Sequence, residues 1–149
     1  MPHLHLIDTF PAFSVFWVNA QHKSPNAQIN DWATIYMDPW PELLNKQVDD
    51  YASMDMDWHE VALEHVFPYL DQRIPDMKTA HGRLLTVCKE VYARAREHIG
   101  LDCDVVSLLY VGTGCGAGWV RYDRSLAPGM TCRATNRPAI SWGTNWSRR

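Results

Sequence analysis

Three groups of residues in this sequence have types and spacings that could do chemistry. The first is Gly112-Thr113-Gly114-Cys115-Gly116-Ala117-Gly118, in which one thiol sits among four glycines. Backbone N–H groups in such a run can lower the pKa of a thiol and hold a substrate oxyanion. On that chemistry Cys115 is the candidate nucleophile. Gly114, Gly116 and Gly118 are the substrate-binding backbone, and Trp119 shapes the pocket. A cysteine nucleophile also needs a base beside it; His81 and His98 are in the chain, and nothing in the sequence fixes either of them next to Cys115. The same run matches the G-x-G-x-x-[GA] pattern of dinucleotide sites, which requires a helix directly after the glycines. Here Trp119-Val120-Arg121-Tyr122 reads as a strand, no acidic residue follows at the ribose-binding spacing, and no Gly-Lys-Ser/Thr is present. The glycines therefore read as a tight turn that allows close backbone approach.

The second group is His59-Glu60-Val61-Ala62-Leu63-Glu64-His65. A zinc-protease helix carries H-E-x-x-H, because histidines four apart share one helix face and can clasp one metal ion. These two are six apart, about 240° around a helix, and cannot chelate one ion together. His65 falls on the apolar stripe and is expected to pack at the core or its boundary, leaving Glu60 and Glu64 on the solvated face. The third group, His3 and His5, lies on one face of an opening strand, a spacing that permits metal binding, but no third ligand can be named. No metal ligand and no cofactor is assigned from these residues. A G-x-S-x-G elbow is absent as well.

The elements that must position these groups are legible from hydrophobic period. His3-Leu4-His5-Leu6-Ile7 alternates as a strand does, and Asp8 is a helix N-cap before Phe10, Phe13, Phe16 and Trp17. Ser24-Pro25 opens a second helix with Ile29, Trp32, Ala33 and Tyr36 on its apolar face, and Asp38-Pro39 leads to a third bearing Trp40, Leu43, Leu44 and Val48. Asp57 caps a fourth, Trp58 to about Leu70, and a fifth runs from about Pro75 to Ile99 before Gly100. The stripe of that fifth helix is Met77, Ala80, Leu84, Leu85, Cys88, Val91, Tyr92 and Ala95. Asp104 to Val111 is an apolar, β-branched strand, the glycines turn the chain, and Trp119 to Tyr122 completes a hairpin. Pro138 to Trp142 could add a third short strand. The expected fold is α+β: about five helices in an N-terminal layer packed on a small sheet with a glycine-rich hairpin.

Composition restricts the function classes. The chain has 149 residues with 46% hydrophobic and 21% charged residues, which fits one globular domain with a real core. No apolar run is long enough for a membrane span and no signal peptide opens the chain, so a cytoplasmic protein with no membrane partner is expected. Cys88, Cys103, Cys115 and Cys132 form no C-x-x-C pair, which argues for reduced thiols rather than a zinc knuckle or disulfide scaffold. The net charge of −3 hides an asymmetry: residues 1–72 hold eleven Asp/Glu and two Lys/Arg, whereas residues 73–149 hold six and twelve. The six arginines from Arg121 onward are scattered among Pro, Gly, Ser and Thr and form no stripe, which disfavours nucleic acid as a partner. The expected organisation is one α+β domain over residues 1–122 and an atypical, Arg-rich, poorly ordered tail over 123–149.

Several segments, taken in order, resemble a bacterial family of predicted zinc-dependent proteases. They are Leu6-Ile7-Asp8-Thr9-Phe10, Tyr36-Met37-Asp38-Pro39-Trp40-Pro41-Glu42-Leu43-Leu44, and Val66-Phe67-Pro68-Tyr69-Leu70. Leu101-Asp102-Cys103-Asp104-Val105-Val106 follows, leading to Tyr110-Val111-Gly112-Thr113-Gly114-Cys115-Gly116-Ala117-Gly118-Trp119. The resemblance covers residues 1 to about 122, and Gly-Cys-Gly-Ala-Gly-Trp is its most specific piece. It implies that the helices form an N-terminal cap, that the glycine hairpin borders a substrate cleft, and that a later helix carries H-E-x-x-H and zinc. This sequence reaches Arg149 without that motif, so no zinc ligand is carried over. The expectation is a hydrolase-related domain, truncated or frame-shifted before its metal helix and not a competent metalloprotease by itself, acting if at all on a peptide or small-molecule substrate. Two other readings stand beside it: a non-enzymatic interaction domain or remnant using the acidic helical face and the sheet edge, and a metal-independent ester or peptide hydrolase using Cys115.

Overall fold

The computed structural model describes residues 2–114. Cys115, Gly116, Gly118 and Trp119, the expected Trp119–Tyr122 and Pro138–Trp142 strands and the Arg-rich tail lie outside the described residues. Within them the fold is mostly helical with a small sheet, as an α+β reading requires. Strand β1 (Leu4–Asp8) pairs in parallel with β2 (Val105–Leu109), from Leu4 opposite Val105 to Asp8 opposite Leu109. Parallel strands need a crossover between them, and here the whole helical layer is that crossover. The ladder is pinned at one end by Val105 N–H donating to the His3 carbonyl and at the other by Thr9 N–H donating to the Leu109 carbonyl, both at 3.0 Å.

Helix α1 (Phe10–Ala20) starts as expected at Asp8, whose Oδ1 accepts the Phe10 N–H at 3.0 Å, although Thr9 occupies the cap position itself. Helix α2 (Pro25–Asp31) opens on Ser24-Pro25 and continues as a π turn over Trp32–Tyr36. Helix α3 (Pro41–Ser53) follows Trp40. The next helical run, α4, occupies residues 58–99 and is assembled from Trp58–Val61, a π turn Ala62–Val66, a 3-10 turn Phe67–Tyr69 and a straight helix Leu70–Ile99. Asp57 caps it through its side chain, which accepts the His59 N–H at 2.8 Å.

Four helical runs therefore replace the expected five. The prolines that suggested a break are absorbed. Pro68 sits at the start of the 3-10 turn, where its missing N–H is unneeded, and Pro75 lies early in the straight helix, which forgoes one ladder bond and continues. Gly100 then stops the helix in the left-handed conformation, φ 64° and ψ 37°, as its position predicts.

The core is aromatic. Phe13, Phe16 and Trp17 of α1 meet Ile29, Trp32 and Tyr36 of α2, and Ala62, Phe67 and Leu70 of α4 close the cluster. Phe13 and Tyr36 meet edge to face with ring centroids 5.4 Å apart, a preferred geometry for aromatic pairs. Trp17 Nε1 donates to Asp71 Oδ1 at 2.8 Å, tying α1 to α4 with its polar edge while its rings stay in the core.

Two stripe assignments need correction. The His65 side chain is 70% exposed rather than packed. The π turn over Ala62–Val66 adds a residue to that turn, which keeps Ala62 and Phe67 inward and swings His65 out. On the straight part of α4, Met77, Leu85, Cys88, Tyr92 and Ala95 are half-buried, but Ala80, Leu84 and Val91 of the expected stripe are exposed. The stripe is wider than the surface that the described residues offer to cover it. Among the described residues no helix is long and apolar enough to cross a membrane.

Candidate active site

In open parallel sheets, ligands bind beyond the carboxyl ends of the strands. Here those ends carry Asp8 and Thr9 from β1 and Leu109 to Thr113 from β2. A set of side chains from the helices straps the second segment in place. Thr9 Oγ1 donates to the Leu109 carbonyl at 2.8 Å and lies 2.6 Å from Tyr36 OH. Tyr36 OH accepts the Val111 N–H at 2.9 Å, and Trp32 Nε1 donates to the Val111 carbonyl at 3.1 Å. Burial raises the Tyr36 phenol pKa above its ordinary value of 10.0, and its hydrogen bonds with Thr9 and Val111 only partly offset this.

One turn further, Gln47 of α3 holds Thr113 twice. Its Oε1 accepts the Thr113 N–H at 2.8 Å and the Thr113 hydroxyl at 3.1 Å. Tyr51 OH donates to the Thr113 carbonyl at 2.8 Å. Gln47 is 1% exposed, and its Nε2 has no hydrogen-bond partner among the described residues. Gly112 is glycine for a steric reason, since a Cβ there would lie 2.7 Å from Gln47 Oε1 and 3.2 Å from Tyr110 Cε2. Gly114, at φ 94°, is the last described residue of the glycine run and the first of the expected substrate-binding glycines.

The titratable centre of this end of the sheet is Asp8 with His81. His81 Nε2 lies 2.8 Å from Asp8 Oδ1, and the imidazole stacks on Phe10 with centroids 4.5 Å apart and planes 15° from parallel. The ring is thus fixed by a carboxylate at one edge and an aromatic face, and no described residue hydrogen-bonds its Nδ1. A carboxylate that orients a histidine leaves the second ring nitrogen to accept or deliver a proton. Beside the imidazole is a cleft of about 170 Å³. Its walls, mostly apolar, are Phe10 of α1, Met77, Ala80 and Leu84 of α4, and Leu109, Tyr110 and Val111 at the end of β2. A larger depression of about 530 Å³, lined by Ala93, Arg96, Glu97, Gly100, Leu101 and Asp102, shares no residue with this centre and is open to solvent.

Of the two histidines available as partners for Cys115, His81 is drawn into this site. His98 is exposed in the last turn of α4 beside Glu97. The rings of His3 and His5 are 6.4 Å apart, and among the described residues no three His, Cys, Asp or Glu side chains come together to hold a metal ion. His59 and His65 belong to no such group among the described residues. Asp8, read as a helix cap, does both jobs, since one oxygen accepts the Phe10 N–H and faces His81. The Asp8–His81 pair escapes a sequence reading because its members are 73 residues apart and on different elements. Thr9, Gln47 and Tyr51 escape it because each resembles ordinary strand or helix surface until its partner on the β2 segment is known, and Tyr36, legible as part of an apolar face, gives no sign that its hydroxyl holds Val111. No family profile, curated protein or solved structure matches the chain.

Proposed function

We propose that the chain is a hydrolase-related domain, peptidase-like or esterase-like, in which His81 moves the proton and Asp8 orients it. The observation that carries this reading is the Asp8–His81 pair, set beside an apolar cleft at the carboxyl ends of two parallel strands. In the reaction His81 Nδ1 would take a proton from the attacking nucleophile and return it to the leaving group. Cys115 is the sequence's candidate for that nucleophile; it follows Thr113, which Gln47 and Tyr51 anchor, by two residues. The resemblance to predicted zinc-dependent proteases supports the hydrolase class. Their zinc chemistry is not carried over, because no H-E-x-x-H is present.

The test is turnover of a panel of p-nitrophenyl esters and short peptides by the purified full chain. His81→Ala should reduce kcat/KM by about 10²- to 10⁴-fold, the usual contribution of a positioned acid–base group. Asp8→Asn should reduce it less. Turnover unchanged in His81→Ala removes the assignment. Cys115→Ala then identifies the nucleophile: loss of turnover makes it the thiol, and full retention makes it water.

A second reading, a non-enzymatic interaction domain, is favoured by one observation: Leu84, Val87 and Val91 lie exposed along one side of α4. Absence of any turnover together with self-association that Val87→Glu abolishes, measured by light scattering on a sizing column, would favour it.

A further inference from the structure

The cleft beside His81 has a chemical character that the hydrolase reading leaves open. Its backbone rim is already used at Leu109 and Val111. The Leu109 carbonyl accepts both Thr9 N–H, at 3.0 Å, and Thr9 Oγ1, at 2.8 Å. The Val111 N–H and carbonyl are taken by Tyr36 OH and Trp32 Nε1. The walls from Phe10, Met77, Ala80, Leu84, Leu109 and Val111 present carbon, Tyr110 completes them, and among the described residues no Lys or Arg lines the cleft to neutralise a carboxylate. The imidazole of His81 stands at one side with its Nε2 committed to Asp8. A site of this kind binds a neutral, apolar group and offers a hydrogen bond to whatever functional group lies next to it. Its size sets the rest: an apolar cavity of about 150 Å³ holds a benzene molecule, and this cleft is about 170 Å³.

We propose that this cleft is the substrate's acyl or side-chain subsite, and that it selects a neutral aliphatic chain of about four to six carbons, or a single phenyl ring, next to the bond that His81 serves. The proposal rests on the hydrolase reading for the second half of that statement, and the two are separable by experiment. With one leaving group held constant, kcat/KM for the butyryl ester should exceed that for the acetyl ester by roughly tenfold, the worth of two buried methylenes, and the hexanoyl ester, with four, should exceed it by roughly a hundredfold. Ala80→Phe, at an exposed position that tolerates a larger side chain, should fill the cleft and restore preference for acetyl. Leu84→Asp, also exposed, should flatten the series by placing a charge in the wall. Turnover that is equal across acyl lengths, or a preference that neither variant changes, overturns the subsite while leaving the hydrolase reading intact.

If no ester is turned over, the hydrolase reading fails and binding still decides the subsite. Butyramide and phenylacetamide, as neutral probes, should shift the NMR signals of the full chain at Ala80, His81 and Leu84, with the shifts lost in Leu84→Asp. Shifts that persist in Leu84→Asp, or no shifts at millimolar probe, overturn it. Sodium butyrate serves as the charged control and should bind more weakly than the amide; equal binding would contradict the neutral character assigned to the walls.

Discussion

At the scale of single residues, the segment after β2 depends on a few side chains whose polar atoms are matched one to one. Tyr36→Phe removes the acceptor for the Val111 N–H and the partner of Thr9 Oγ1. Leaving a part-buried donor unmet should cost about 1–3 kcal/mol, measured as a lower denaturation midpoint at unchanged m-value. The same residue gives a pH dependence. Its folded pKa is raised by burial above the ordinary 10.0, so the native state holds its proton where the unfolded chain has begun to lose it. That contribution is fully present below pH 10 and is lost as pH rises toward the folded pKa. Wild type should lose stability above pH 10 more steeply than Tyr36→Phe, and parallel curves would refute the assignment. Gly112→Ala should destabilise by about 1–3 kcal/mol, because its Cβ would push on Gln47 Oε1. A Gly112→Ala, Gln47→Ala double variant that recovers part of that loss would identify the clash as the cause.

At the scale of elements, α4 is two different objects along one continuous helix. Its beginning is core: Leu70 is buried within the aromatic cluster. Leu70→Ala should therefore cost about 2–5 kcal/mol through lost contacts and an unfilled cavity. Its middle carries Leu84, 49% exposed, and Val91, 58% exposed. Leu84→Gln and Val91→Gln should change stability by no more than about 0.5 kcal/mol, as surface substitutions do. Chemical denaturation of the three variants checks the contrast. Hydrophobic period alone assigned Leu84 and Val91 to one apolar stripe, since period reports which side of a helix is apolar and not whether anything lies against it. Capping was more local and hence more legible: Ser24-Pro25, Asp57 and Gly100 each stand where a helix begins or ends.

At the scale of the whole molecule, the aromatic layer of α1 and α2 is the structural reference for everything else. The two strands pair only with each other among the described residues, and a pair of strands is marginal by itself. The tie from Trp32 and Tyr36 to Val111, and the tie from Gln47 and Tyr51 to Thr113, dock the end of the sheet onto that layer. Stability should be distributed accordingly. Amide exchange should be slowest around Ile29 to Tyr36, where the core is densest, and fastest within α4 over the last turns before Gly100, where almost every residue is exposed. Equal protection along the whole of α4 would contradict this distribution.

The sequence by itself determined what depends on neighbours in the chain. It located the helix start at Pro25, the cap at Asp57 and the stop at Gly100, and it placed the two strands at residues 3–7 and 104–111, where they form over Leu4–Asp8 and Val105–Leu109. It also set His59 and His65 six residues apart, a spacing that an α-helix does not bring onto one face. The tertiary structure alone decided the parallel pairing of β1 with β2, the fusion of two expected helices across Pro68 and Pro75, and the exposure of His65. It alone brought Asp8 to His81 across 73 residues, and set Gln47 against Gly112 and Thr113. Those outcomes turn on which surfaces meet after the chain has folded back on itself. Hydrophobic period supplies the surfaces, and packing selects which of them are joined.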